Sequence, residues 1–198
     1  MSEAASPRTV LITGATGGIG GALAIAYAEA GTTLILQGRN TARLAELATA
    51  CESRGARVQT QVLDLRDRPA LANWLAAVSG QQALDLVIVN AGVNTSIGPQ
   101  AAGERWPDVE ELIAVNVLAA MATVDAVLPA MRARRRGQLA LVSSLAAYYG
   151  LPVTPSYCAS KAAIKTYGDA IRGWLAGSGV RVSVVMPGYV ESKMCREM

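Results

Sequence analysis

Short apolar runs recur along this chain, and each is followed by a stretch with helical spacing. Thr9 to Thr13 is cut off by glycines, too short for a helix and flanked as a buried strand is. From Gly18 to Ala30 the pattern turns helical and stops at Gly31, a residue suited to the turn that ends a helix. Thr33 to Gln37 reads as a second buried strand. The alternation continues with a helix over Thr41–Ser53, a strand over Arg57–Val62, a helix over Arg68–Val78 and a strand over Leu84–Val89. A long helix follows from about Asp108 to Arg135, then a strand at Gln138–Ser143, a helix over Ser156–Ala176 and a strand at Val180–Met186. Strands without alternating polarity, each followed by a helix, predict a parallel sheet covered on both faces. With a glycine-rich first turn, the fold class is α/β: a doubly wound, Rossmann-type sheet in three α/β/α layers, with ligands outside the carboxyl ends of the strands.

Composition narrows the picture. Residues 1–198 suit a single domain that buries roughly 70% of its unfolded surface, so no metal or disulfide is required for stability. The chain is 52% hydrophobic and 17% charged, with a mean hydropathy of +0.29. Phenylalanine is absent, so Ala, Leu, Val and Ile fill the core. A net charge of +3, from 18 basic and 15 acidic residues, is too balanced for a nucleic-acid partner. The N-terminus carries an acid and no apolar signal segment, and no uninterrupted apolar run approaches membrane-spanning length, which predicts a cytoplasmic protein. The three cysteines lack CxxC spacing, arguing against a disulfide framework. There is no histidine, which excludes Ser-His-Asp and Cys-His hydrolases and any imidazole metal site; no metal is expected.

The first loop reads Thr13-Gly14-Ala15-Thr16-Gly17-Gly18-Ile19-Gly20, directly after a strand and opening a helix. Its glycines permit a tight turn, close approach of backbone N–H groups to a pyrophosphate and close helix–sheet packing. At the end of strand two, Gly38-Arg39 stands where an acid favours NAD and an arginine pairs with a 2′-phosphate. Asp64 follows strand three and Asn90-Ala91-Gly92 follows strand four. Asp64 is placed either to accept from an adenine amino group or to cap a helix. Asn90 is placed to brace the loop, and Gly92 to let it pass close to a cofactor, with an ordinary turn as the simpler reading.

Tyr157 and Lys161 are spaced i and i+4 on a predicted helix, so both side chains reach one ligand. An ammonium beside a phenol favours the phenolate and suits tyrosine to proton transfer. Ser144, at a strand end, is placed to hydrogen-bond a reacting carbonyl oxygen. Asn116 is a polar residue in the apolar stretch Ile113–Ala122, either a structural hydrogen-bond hub or part of a proton relay.

Together these motifs resemble the short-chain dehydrogenase/reductase superfamily over almost the whole chain. Its TGxxxGxG falls on Thr13, Gly14, Gly18 and Gly20, its NAG on Asn90, Ala91 and Gly92, and its catalytic asparagine on Asn116. Its serine falls on Ser144, its YxxxK on Tyr157 and Lys161, and its PG on Pro187 and Gly188. The resemblance implies an NAD(P)-dependent interconversion of an alcohol and a ketone or aldehyde. Tyr157 would be the acid/base, Lys161 would bind the nicotinamide ribose and lower the tyrosine pKa, Ser144 would orient the substrate oxygen and Asn116 would hold a relay water. Cofactor contacts would come from Gly14, Thr16, Gly17, Gly18, Ile19, Gly20, Arg39, Asp64, Leu65, Asn90, Ala91, Gly92, Tyr157, Lys161, Pro187, Gly188, Val190 and Ser192. Arg39 favours NADP(H), with NAD(H) as the second candidate; Gly17 stands where NADP-preferring relatives often carry a base.

Relatives usually continue past the PG motif through a helical lid, a further helix and a seventh strand, whereas ten residues follow Gly188 here. The expectation is a chain with its lid and last strand missing, which keeps a non-catalytic dinucleotide sensor or scaffold as the alternative function. A Ser-Lys hydrolase built on Ser144 and Lys161 leaves the glycine loop unexplained. Cations in Arg132–Arg136 complement a helix C-terminus, with Gly137 ending the turn. Cys158 reads as packing, and Tyr148 and Tyr149 as pocket or loop residues. Leu112–Met131 is apolar almost all round, which points to a homodimer or homotetramer formed through it and the Tyr157–Ala176 helix.

Overall fold

A computed structural model describes residues 8–190 of the chain. Six strands, β1 (Thr9–Ile12), β2 (Thr33–Gly38), β3 (Arg57–Val62), β4 (Leu86–Val89), β5 (Gly137–Val142) and β6 (Val180–Val185), form one sheet in the order β3-β2-β1-β4-β5-β6. Every pairing is parallel. The order reverses where β1 lies between β2 and β4, which opens a crevice at the carboxyl ends of those strands.

Alternation along each strand feeds two cores. Val10 and Ile12 of β1 pack with α1 (Gly18–Tyr27) and α2 (Thr41–Glu52), while Leu11 faces α3 (Arg68–Gln81), α5 (Ala120–Ala133) and α6 (Pro155–Trp174). All three side chains are fully buried. The starts of α2 and α3 are set by side chains: Asn40 Oδ1 accepts from the Arg43 N–H at 3.0 Å and Asp67 Oδ1 from the Ala70 N–H at 3.0 Å.

Most boundaries move by one or more residues from the sequence reading, and three of the differences have a cause in the packed fold. α1 ends at Tyr27 rather than Ala30, because the chain must turn early to bring Thr33 level with Thr9 in the sheet; Gly31, at φ +88°, lies in that turn. The long helix predicted over 108–135 is α4 (Trp106–Ile113), a π-helical segment (Ala114–Ala119) and α5. One extra residue per turn at Asn116 rotates this side chain inward, toward partners that the sequence pattern does not reveal. At the end of α5 the left-handed residue is Arg135, at φ +53°, and Gly137 instead opens β5, where an added Cβ would meet Met131 Sδ at 2.6 Å.

Trp106–Ala133 is long and apolar enough to cross a membrane by length and composition, although no uninterrupted apolar run within it approaches that length. Half of its most apolar window is buried, against α3, α6 and the sheet, which is where a core helix acquires such a composition.

Candidate active site

The glycine loop is held by its neighbours rather than by itself. Gly14 takes φ +65°, and a Cβ there would lie 2.7 Å from Ala91 Cα. Its N–H donates to Gln37 Oε1 at 2.9 Å, and Gln37 Nε2 donates onward to the Leu63 carbonyl at 2.7 Å, so one buried amide joins the ends of β1, β2 and β3. Asn90 Nδ2 donates to the Thr13 and Gly14 carbonyls at 3.0 and 3.1 Å, while Thr13 Oγ1 accepts from the Asn90 and Ala91 N–H groups. Gly20 stands behind the loop, where a Cβ would meet the Gly14 carbonyl oxygen at 2.3 Å.

Side chains at the end of β2 form an ion-pair network. Arg39 is not a free cation: its Nη1 lies 3.2 Å from Glu111 Oε1 on α4, and Arg66 reaches the same oxygen at 3.6 Å. Asp64 accepts from Arg66 through Nε at 3.0 Å and Nη2 at 2.5 Å, and these bonds hold its carboxyl down at about 2. Asp64 therefore caps no helix; Asp67 does that for α3.

At the other end, Asn116 Oδ1 accepts from the Val93 N–H at 2.8 Å, and its Nδ2 donates to the Val93 carbonyl at 2.9 Å and to Ser160 Oγ at 3.1 Å. Both amide hydrogens are thus engaged with protein, which is the hub arrangement. Lys161 Nζ donates to the Val142 carbonyl at 3.0 Å and lies 5.6 Å from the centre of the Tyr157 ring. Burial drives the Lys161 pKa down to about 8. The sequence reading has Lys161 depress the Tyr157 pKa; here burial raises it, and the hydrogen bond with the Ser144 hydroxyl pulls the other way. The reversal follows from geometry, because the ammonium is spent on a backbone carbonyl while the phenol is desolvated.

One cleft of about 1400 Å³ connects these parts. Its walls include Gly14, Thr16, Gly17, Gly18 and Ile19; Arg39; Asp64 and Leu65; and Asn90, Ala91 and Gly92. Ser144, Tyr157, Lys161, Pro187, Gly188 and Val190 complete it, whereas Gly20 and Asn116 stand behind the walls. Tyr149 lines the cleft, but Tyr148 instead lies over Lys165 Nζ at 5.4 Å. Cys158 is buried and accepts from the Leu151 N–H. Ser192 lies outside the described residues.

Sequence reasoning passed over Gln37, Ser143, Ser160 and Glu111. Ser143 Oγ donates to the Lys161 carbonyl at 2.7 Å, and Ser160 Oγ to the Tyr157 carbonyl at 2.8 Å. Gln37 carried a signal, being the polar residue that closes the otherwise apolar strand Leu34–Leu36.

A short chain dehydrogenase family model matches residues 8–198. The chain is 38% identical over 190 residues to an uncharacterized oxidoreductase of Myxococcus xanthus, covering 96% of this chain and 74% of that one. Its structure is similar to a short-chain dehydrogenase from Sphingobium yanoikuyae in complex with NADPH: TM-score 0.86, 28% identity, 94% of this chain and 73% of that one. It is also similar to NAD+-bound xylitol dehydrogenase: TM-score 0.85, 27% identity, 92% and 70% of the two chains. With the family model spanning all but the first seven residues, the chain belongs to the short-chain dehydrogenase/reductase family of oxidoreductases.

Proposed function

We propose that this protein is an NADP(H)-preferring oxidoreductase that interconverts an alcohol and a ketone or aldehyde. The observation that carries the reading is one continuous cleft, lined at one end by the Gly14–Ile19 loop and at the other by Ser144, Tyr157 and Lys161. The lining fits a dinucleotide: the N-terminus of α1, which no side chain caps, opens on the cleft at Gly17 and Gly18, the loop before it turns tightly against Ala91 at Gly14, and at Gly92 a Cβ would come within 3.4 Å of Lys161 Nζ. When bound, the nicotinamide supplies a hydride acceptor or donor for the substrate carbon.

The chain's own residues do the rest. Ser144 and Tyr157 hold the substrate oxygen from two sides, and the Tyr157 hydroxyl donates its proton to that oxygen in reduction or accepts it in oxidation. The raised phenol pKa keeps the proton on Tyr157 at neutral pH. Lys161 binds the ribose hydroxyls beside the ring, and Asn116 holds Val93 and Ser160, so that the wall after β4 and the α6 helix keep their spacing. Arg39 and Arg43, which also line the cleft, supply cations at the adenosine end and support the preference for a 2′-phosphate. The two chains of a dimer pair through α5 and α6, a reading supported by the 590 Å³ groove between their ends, where Trp174 is 61% exposed beneath Arg132. A monomeric mass by light scattering at micromolar concentration overturns that pairing.

The test is titration with NADPH and NADH, followed by turnover of a carbonyl panel by the wild type and by Tyr157→Phe. NADPH binds more tightly than NADH, and Tyr157→Phe keeps that affinity while turnover falls by at least about 10²-fold. Absence of nucleotide binding, or a Phe variant with full turnover, defeats the proposal.

A further inference from the structure

Glu104 lies in the segment between β4 and α4, outside every motif of the cofactor site, and its carboxylate joins two walls of the cleft. Thr95 Oγ1 donates to Oε1 at 2.5 Å, and Ser156 Oγ donates to Oε2 at 2.5 Å. The Ser156 backbone N–H points at the same carboxylate, 3.3 and 3.2 Å from its two oxygens. Ser156 is the second residue of α6, so this N–H has no partner within the helix. Thr154 occupies the capping position but its side chain makes no capping bond; its hydroxyl lies 2.7 Å from both Asn94 Oδ1 and the Thr95 carbonyl and shares its proton between them. The cap of α6 therefore comes from a carboxylate 52 residues earlier, at the helix end that favours negative charge. Burial works against the charged carboxylate, yet the bonds from Ser156 and Thr95 outweigh it and hold its pKa below the ordinary value.

The next residue after Ser156 is Tyr157. Asn94, Thr95 and Ile97 line the same cleft, and the Ile97 N–H donates to the Val153 carbonyl at 3.1 Å, a further tie between these segments beside that of Thr154. We infer that Glu104 is a positioning residue for the reaction: it fixes the first turn of α6 to the 94–97 wall, so that the Tyr157 phenol and the wall facing the substrate hold one spacing. This rests on Tyr157 being the proton-transfer group. A carboxylate is suited to the task because it accepts from Thr95 and Ser156 at once, whereas a neutral side chain of the same length offers one acceptor oxygen.

The experiment compares wild type, Glu104→Ala, Glu104→Gln and Thr95→Val by hydrogen–deuterium exchange, NADPH titration and steady-state reduction of a ketone that the wild type accepts. Glu104→Ala speeds exchange at least tenfold in both 94–104 and the first turn of α6, leaves exchange in β1 and α1 and the NADPH Kd within twofold, and lowers kcat at least tenfold. Glu104→Gln recovers part of the kcat, and Thr95→Val moves the same segments by less; these two variants decide the matter if Glu104→Ala does not fold. Unchanged exchange in the first turn of α6, or an unchanged kcat in a variant whose exchange has risen, overturns the inference. Loosening spread evenly over the chain with loss of NADPH binding overturns it too, as a general stability effect. If the wild type reduces no ketone, the reductase reading is what fails, and the exchange measurements still decide whether Glu104 ties the two segments.

Discussion

Arg39 and Glu111, 72 residues apart, meet at 3.2 Å above the end of β2, so the cation proposed to pair with a 2′-phosphate is already shared with a carboxylate. Their side chains are 55% and 34% exposed, and a pair so solvated is worth below about 1 kcal/mol. A phosphate therefore displaces the carboxylate readily, but against a small opposing term. Glu111→Gln should tighten NADPH by about two- to fivefold and leave NADH unchanged, since only the phosphorylated cofactor competes for Arg39. Fluorescence titration with both nucleotides reads this directly; an equal gain for both would disconnect Glu111 from cofactor choice.

Asn116 carries the π-helical segment, and the reason is its three bonds to Val93 and Ser160. Asn116→Ala leaves the part-buried Val93 N–H and the buried Ser160 hydroxyl without their partner and should cost about 1–2 kcal/mol of unfolding free energy. Urea denaturation measures the loss.

How much of this was legible in the sequence depends on the range of the physics. β3 has the bounds read from the pattern, Arg57–Val62, and the glycine loop was legible because a left-handed φ at Gly14 and a close approach at Gly20 are demands of nearby backbone. The π segment was not, because its cause is Val93 and Ser160, 23 and 44 residues from Asn116. Arg39 is adjacent to nothing acidic in sequence, so its pairing with Glu111, 72 residues away, was invisible until the fold brought the two side chains together. The i, i+4 spacing of Tyr157 and Lys161 gave proximity correctly but not the balance of charge. That balance is set by burial and by the Val142 carbonyl, both properties of the packed fold.

Gly20 is a packing requirement of the glycine loop. An added Cβ would stand 2.3 Å from the Gly14 carbonyl oxygen and 2.8 Å from Asn90 Nδ2, atoms of the loop and its brace that have nowhere to retreat. Gly20→Ala should destabilise the fold by about 3 kcal/mol and weaken NADPH and NADH alike, because the displaced backbone is common to both. Thermal melting and the two titrations check it. By contrast Gly80→Ala, at a helical site with nothing within 4 Å of the added Cβ, should be neutral or slightly stabilising, a control for helix propensity alone.

Lys161 stores instability for function. Its folded pKa of about 8 lies below the free value of 10.5, so between those pH values the unfolded chain holds a proton that the folded chain has released. Unfolding then takes up a proton, and stability rises with pH across that window; below pH 8 both states are protonated and the folded protein bears the full cost of a buried ammonium. That cost is at most about 3 kcal/mol, from 1.36 kcal/mol for each pKa unit. Lys161→Met, which fills the same space without charge, should raise the unfolding free energy of the ligand-free protein at pH 7 by about 1–3 kcal/mol while abolishing turnover. The difference from wild type should shrink as pH rises from 8 toward 10, and urea melts of both proteins over pH 7–10 measure it. A constant difference across that range would mean that Lys161 is not the group whose protonation is linked to folding.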